Sequence, residues 1–433
     1  MKAARAWEER LEAGRRRRDR VPRSLHGDWS PSPQRADVLS AFRRANEGRI
    51  APLRDLKART MAESPFAYFR GSALQMADDL RPVPVVGPVT QICGDAHAGN
   101  VGAFAAADGH LTFDLNDFDE TARGPWEWDL KRFAASLVLA GRAAGGGERR
   151  CGDAVRVLVR SYRRHVRAFG RCPFLELMRY KVRRGHNEVV WATLTKAERE
   201  SPMRSLERLT TVDARGRRRF DDRPPHLQSV PGRVAAGVLS ALATYRRTLP
   251  SDRQGTLDVY RPADVAFRVG GVGALGLKNY VVLLFGRSAR DPLILQLKQA
   301  ETSVVLRGQP RAASGHQGRR IALGQRIMQT GSDPLVGWTS IGSDQFVVRQ
   351  LSDHKAGLNA RDLSGRFLLE LGDVAGEILA KAHARRADAG VIAGYCGASD
   401  RFDEALVRFA ALYADQTEKD RAAFKRATRR GRR

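Results

Sequence analysis

The chain predicts an α+β fold in which a small antiparallel β unit is segregated from a larger helical body. Three observations predict it. Apolar residues recur at helical spacing through residues 36–80, 129–144, 154–169 and 367–385, residues 258–298 alternate turn signals with apolar runs of strand length, and an Asp-Gly pair at 108–109 separates two strand-like runs. A length of 433 residues allows one large or two ordinary domains with a well-filled core.

Residues 1–35 are charged and contain prolines, which predicts a frayed helix and an arm. Residues 36–250 then form the predicted helical lobe. Within it Ser64–Gly71 (SPFAYFRG) reads as an aromatic turn interrupting the helices, with Arg70 either stacked on the rings or free to meet phosphate. Guanidinium binds oxyanions bidentately, so Arg70 is a candidate ligand-binding residue.

The densest chemistry lies between Cys93 and Lys131, where CGDAHAGN is joined to FDLNDFDE and GPWEWDLK. Asp108-Gly109 between apolar runs is a strong hairpin signal, and such a hairpin folds the two acidic runs back beside each other. That places Asp95, His97 and Asn100 near Asp114, Asp117 and Asp119. Carboxylates crowded at one place repel unless a cation neutralises them, and Asp and Asn oxygens suit Mg²⁺ held jointly with substrate phosphates. The competing expectation is a solvated acidic loop in which Asn and Gly only serve turns.

Residues 172–231 are polar and uneven, with a hairpin expected at Asp213–Gly216 and no pattern that names a substrate. Residues 251–355 form the β-rich lobe. Gly271-x-Gly273-x-x-Gly276 leads into the strand NYVVLLF, then a turn at Asp291-Pro292 and a strand ending at Lys298. A dinucleotide fold needs a helix after the glycines, so a strand there disfavours it. Lys298 sits in an apolar strand, which is costly unless an anion meets it; an edge position facing solvent is the alternative. A helix is expected at 318–329, a strand at 345–351, an amphipathic helix at 367–385 within a C-terminal helical segment (356–423), and a basic tail at 424–433.

The formal charge of +27 favours polyanion, nucleotide or acidic-surface contact, but no zinc-finger spacing, aromatic RNA-binding motif or helix-turn-helix accompanies it, so nucleic acid is not the expected partner. The four cysteines are far apart and form no CxxC pair, which predicts reduced thiols. With no apolar signal-peptide core and no stretch of membrane-spanning length, the expectation is a cytoplasmic protein without a membrane span.

Gly94-Asp95-x-His97-x-x-Asn100, a hairpin, an apolar-Asp-Phe-Asp run and Trp128-Asp129-Leu130 resemble the catalytic loop and metal-binding Asp of aminoglycoside-phosphotransferase-like kinases. The resemblance implies Asp95 as catalytic base, Asn100 and Asp117 as Mg²⁺ ligands, Asp129 as a brace and His97 as a residue that shapes the loop. Asp114 remains open as a metal ligand, with Asp117 preferred on its spacing from the turn and from Asp129. Glycine loop, strand, turn, strand, Lys is similarly the order of a kinase nucleotide lobe, implying that Gly271, Gly273 and Gly276 cover ATP phosphates while Lys298 contacts them. The template places a Glu partner for that Lys on the following helix; residues 318–329 hold none, leaving Glu301, Gln317 and Gln325 as polar candidates. In the same template a helix ending Ala-x-x-His precedes the catalytic loop, whereas here it follows at 367–385.

The implied fold is therefore kinase-like and bilobal, a helical lobe plus a small antiparallel β nucleotide lobe, in circularly permuted order, which chain ends at exposed loops permit. SPFAYFRG, CGDAHAGN, FDLNDFDE, GPWEWDLKR, GVGALG, LQLKQA and the late SDRFDEALVRFAALYADQ, in this order, closely resemble the bacterial domain-of-unknown-function 2252 family over residues 36–423. The expected function is ATP- and Mg²⁺-dependent phosphoryl transfer to a small-molecule or protein hydroxyl. Alternatives are AMP transfer, a nucleotide-binding pseudokinase, and, more distantly, a metal-dependent phosphodiester hydrolase.

Overall fold

Antiparallel strands and helices segregate as the sequence predicts, giving an α+β architecture. The computed structural model describes residues 6–309, 314–351 and 354–430; the extremes of the expected arm (1–5) and basic tail (431–433) lie outside the described residues. Strands β1 (Val89–Ile92) and β4 (Ala122–Pro125) pair with each other, and between them β2 (Val101–Ala105) and β3 (Leu111–Leu115) form a hairpin. Its turn is the Asp-Gly pair: Gly109 has φ +80°, and its N–H donates to the Ala106 carbonyl at 2.9 Å. The expected hairpin at 213–216 also forms, between β5 (Thr210–Val212) and β6 (Arg218–Phe220).

A six-stranded antiparallel sheet follows, in the order β11-β12-β10-β9-β8-β7. Its members are β7 (Leu227–Ser229), β8 (Arg261–Arg268), β9 (Asn279–Phe285), β10 (Pro292–Gln299), β11 (Gly337–Ile341) and β12 (Asp344–Gln350). A two-residue strand, β13 (Ala356–Gly357), then joins the edge of β2. In β10, Leu295 and Leu297 are buried with Val282, Leu284, Val348 and the Gly232–Arg246 helix, forming a core of their own. Side chains alternate across a strand, so Gln296 and Lys298 point to the opposite face.

The larger core lies among long helices. Trp126–Ala143, Glu148–Phe169, Arg366–Ala384 and Arg401–Arg430 bury their apolar faces together, with Trp126 stacked on Tyr162 at 5.6 Å. Arg366–Ala384 and Glu148–Phe169 approach closely because Gly372 and Gly376 lie on the contact face, where a methyl group would meet the Ala154 and Leu158 carbonyl oxygens. Gly376→Ala is expected to lower stability by about 1–3 kcal/mol by overpacking this contact, despite the better helix propensity of Ala. Denaturant unfolding checks it, and unchanged stability would mean the helices slide apart at little cost.

Two local expectations change. SPFAYFRG forms a helix, Pro65–Gly71, rather than a turn: the Ser64 hydroxyl caps it by accepting from Ala67 N–H at 3.1 Å, and Pro occupies its first position. The charged N-terminal segment is docked rather than an arm. Its helix Trp7–Arg16 packs on Ala389–Cys396 through Gly14 and Gly394, Arg18 donates to the Tyr395 carbonyl at 2.9 Å, and Arg35 pairs with both Asp79 and Asp420. Charge density suggested solvation; the partners that neutralise these arginines lie too far along the chain to read. All four cysteines are free thiols, as expected. Among the described residues no helix is long and apolar enough to cross a membrane.

Candidate functional site

The loop between β1 and β2 carries the Gly-Asp-x-His-x-x-Asn motif, and its shape is fixed from several sides. Gly94 has φ +78°, and a Cβ there would collide with the Glu120 carbonyl oxygen, so the position needs glycine for conformation and for space. Asp129, at the start of the Trp126–Ala143 helix, accepts from the Cys93 and Gly94 N–H groups at 2.7 and 2.9 Å. His383 Nε2 lies 3.3 Å from the same carboxylate, while its Nδ1 lies 3.0 Å from the Tyr162 hydroxyl. Asp129 thus occupies the bracing position. His383 comes from the Arg366–Ala384 helix, whose end meets β1 where Thr90 donates to the His383 carbonyl at 3.2 Å.

Asp95 is 18% exposed and is held at one carboxylate oxygen by the Arg132 Nε, 2.5 Å away. Arg132 is in turn anchored by the Phe69 carbonyl at 2.9 Å and lies over the Phe69 ring. Burial raises the Asp95 carboxyl above its ordinary range, with Arg132 opposing the rise. His97 is pushed well below the usual histidine range by burial and by the Arg70 and Arg132 charges, so it is neutral. Its Nδ1 accepts from Gly99 N–H at 3.1 Å, which puts the ring proton on Nε2, 3.9 Å from the free Asp95 oxygen. Loop shaping is the work this geometry gives His97. Asn100 donates from Nδ2 to the Asp95 carbonyl at 2.8 Å, leaving its side-chain oxygen as the atom available to a cation.

After β3 the chain turns through Asn116–Thr121 against this loop. Cys93 Sγ donates to the Asp117 carbonyl at 3.2 Å, and Ser303 Oγ to the Glu120 carbonyl at 2.7 Å. Lys298, only 6% exposed, reaches across from β10 to pair closely with Asp119 and lies 3.9 Å from Asp117. Asp117 keeps 36% of its side-chain surface open. Burial raises its carboxyl, but the Lys298 and Arg349 charges outweigh that and bring it down to about 2.

The carboxylate partner of Lys298 therefore comes from the acidic loop. The helix after β10, Gln317–Met328, instead supplies Arg320, which bonds the Thr121 carbonyl and, at 2.8 and 2.9 Å, the Asp119 and Glu301 carbonyls. Of the candidates for the missing Glu, Glu301 pairs with Arg49 at 2.9 Å, Gln317 accepts from Arg320 at 2.8 Å, and Gln325 bonds Gln329 at 3.1 Å.

Asp114 is turned away. Only 1% exposed, it forms a buried ion pair with Lys381 of the Arg366–Ala384 helix and accepts from Thr330 N–H at 3.3 Å, so it is not among the oxygens offered to a cation beside Asn100 and Asp117. Burial lowers Lys381 despite the pull of Asp114.

Between sheet and helical body lies a cleft of about 300 Å³ lined by Asn100, Asp117, Lys298, Gly271 and Arg70. Residues far apart in the sequence meet here. Of the three motif glycines only Gly271 lines the cleft, joined by Gly270; Gly273 and Gly276 shape the loop from behind. There Arg49 donates to the Gly273 and Leu275 carbonyls at 2.7 and 2.9 Å, and Ile50 N–H to the Gly276 carbonyl at 3.0 Å. Asp95 and His97 stand just behind this lining, within the loop that carries Asn100, and Asp129 holds that loop from the Trp126–Ala143 helix.

Several lining residues were not singled out from the sequence: Arg268, Asn279, Gln296, Arg349 and Lys355. A signal for three of them exists, since Asn279, Gln296 and Arg349, like Lys298, are polar exceptions in apolar strands, and cross-strand register pairs Lys298 with Asn279 and Gln296 with Arg349. Among the described residues no group of three or more His, Cys, Asp or Glu is arranged to hold a metal. Asn100 and Asp117 fit Mg²⁺ in the manner of sites where the protein gives one carboxylate and one amide oxygen and a ligand's phosphates give the rest.

A family model described as "Uncharacterized protein conserved in bacteria (DUF2252)" matches residues 49–427. No curated protein and no solved structure matches the chain.

Proposed function

Since the chain belongs to the DUF2252 family of bacterial proteins, whose description carries no reaction, we propose a function from the cleft itself: ATP- and Mg²⁺-dependent phosphoryl transfer to a hydroxyl, on a kinase-like bilobal scaffold in circularly permuted order. The observation that carries the proposal is the convergence on one cleft of Lys298 and Gly271 from the sheet with Asn100 and Asp117 from the helical body. Behind them Asp129 braces the catalytic loop through His383, a contact that joins the two halves of the rotated order.

In this role Lys298 and the backbone at Gly271 hold phosphate oxygens, and Asn100 and Asp117 hold Mg²⁺. The metal, when bound, supplies charge neutralisation at those phosphates. Asp95 takes the acceptor hydroxyl's proton on the oxygen that Arg132 leaves free, while the buried Arg132 ion pair fixes its rotamer. His97 keeps the loop in register as a neutral donor. Most of the rate enhancement then comes from alignment and electrostatic stabilisation, as expected where the chain makes no covalent intermediate.

Calorimetric titration of the full chain with a non-hydrolysable ATP analogue, with and without Mg²⁺, tests the proposal. Metal-dependent binding that disappears in Lys298→Ala and in Asp117→Ala is the expected result; no binding to folded wild type would reject it. A pH profile adds a second check. Because burial raises Asp95 and the base must be ionised, turnover should fall on the acid side with an apparent pKa above the ordinary carboxylate value of about 4. An acid limb at or below that value would remove Asp95 as the base.

One observation favours a second reading, AMP transfer on the same scaffold: Arg268 and Arg349 add cationic charge where the sheet covers the cleft, enough to hold a polyphosphate in more than one direction. ATP labelled separately in its adenosine and terminal phosphate distinguishes the two by which label reaches the acceptor.

A further inference from the structure

Phosphoryl transfer as described leaves one part of the cleft unused. Arg268 at the end of β8, Arg349 on β12 and Arg70 at the end of the Pro65–Gly71 helix all line it. Among the described residues no carboxylate lies within ion-pair distance of any of the three guanidinium groups, although the chain pairs many of its other arginines. The Nε of Arg70 is enclosed with no hydrogen-bond acceptor. Burial, with the like charges of Arg349 and Arg208, lowers Arg268 from its ordinary value. Enclosing unpaired like charges costs stability unless an anion fills the space.

The scaffold under these groups is built rather than loose. Arg349 Nε donates to Gln296 at 3.2 Å, Gln296 donates to Asn279 at 3.0 Å, and Asn279 donates to the Arg268 carbonyl at 2.8 Å, a hydrogen-bonded row across four strands. Among the described residues the cleft is lined by the cationic side chains of Arg70, Arg268, Lys298, Arg349 and Lys355 and by the carboxylate of Asp117. Among the described residues no aromatic ring lines it, so these walls suit oxyanions better than a stacked base.

We propose that Arg70, Arg268 and Arg349 form an oxyanion site that binds a phosphate or pyrophosphate group beside Lys298. Two sources carry that chemistry: the polyphosphate tail of the nucleotide, or an acceptor that already bears a phosphate. The choice between sources rests on the phosphotransferase reading; the site itself does not.

The test uses inorganic pyrophosphate with the full chain in EDTA, by calorimetry and by thermal shift, on wild type, Arg268→Gln and Arg349→Gln. Wild type should bind pyrophosphate with an affinity that falls as salt rises, and each variant should bind at least about tenfold more weakly. Each variant without ligand should melt at or above the wild-type temperature, because a repelling charge has gone; arginines with a purely structural role would lower it. No pyrophosphate binding to folded wild type, or equal binding by the variants, would overturn the site. A parallel titration with a non-hydrolysable ATP analogue separates the sources: weakening in the variants assigns the site to the nucleotide tail, and unchanged binding assigns it to a phosphorylated acceptor. Pyrophosphate binding through Arg268 in a protein that turns over no ATP would retire the phosphotransferase reading and keep the site.

Discussion

Replacing Asp117 with Asn is expected to lower Mg²⁺-dependent nucleotide turnover by at least about a hundredfold while leaving the melting temperature close to wild type. The substitution keeps the shape and removes the charge. Asp117 is open to the cleft, and Lys298 retains its close pairing with Asp119, so no buried cation is orphaned. What is lost is the carboxylate held at a pKa of about 2 by Lys298 and Arg349, an oxygen ligand that stays ionised throughout the working pH range. Steady-state turnover across a Mg²⁺ titration, with circular dichroism as the control, reads the effect. Unchanged turnover would take Asp117 out of the metal position.

Asp114→Ala should do the reverse: a loss of stability of about 3–5 kcal/mol without a specific change in Mg²⁺ dependence. Here the orphan is Lys381, 3% exposed and already depressed by burial, whose ammonium would be left without its carboxylate. Adding Lys381→Met should restore much of the loss, since an apolar chain of similar length can fill the site without a charge. Chemical denaturation of the single and double variants makes the comparison. If Asp114→Ala is stable but needs more Mg²⁺ for turnover, the buried-pair assignment fails and Asp114 returns as a metal ligand.

These two aspartates, three residues apart, mark the limit of what the sequence reveals. The Asp-Gly turn, the strand after the glycines and the strand that carries Lys298 are local signals, and each formed as expected. Spacing put Asp114 and Asp117 in the same neighbourhood. What separates them is the face of β3 that Asp114 occupies and a lysine in a helix far along the chain.

Arg268 and Arg349 escaped notice for a related reason. A polar residue in a strand looks alike in sequence whether it meets solvent or a cleft, and only the stacking of four strands sets them on one face. The kinase template places the partner of Lys298 on a helix; the acidic loop supplies it instead, and Arg320 on that helix pins the loop. The N-terminal segment misled through composition, since its arginines find carbonyls and carboxylates that no local pattern announces.

The contacts of His383 with Asp129 and of Lys381 with Asp114 also bear on how the protein is made. On the ribosome the loop holding Asp95, Asn100 and Asp117 emerges well before the Arg366–Ala384 helix that braces it. Until then Asp114 lacks its counter-charge, Asp129 lacks its His383 contact and the long Glu148–Phe169 helix lacks its packing partner. A product ending between the sheet and that helix would hold the lining residues up to Lys355 without the brace on the Gly-Asp-x-His-x-x-Asn loop. Chains lacking the Arg366–Ala384 helix are therefore expected to stay loosely packed and open to proteolysis.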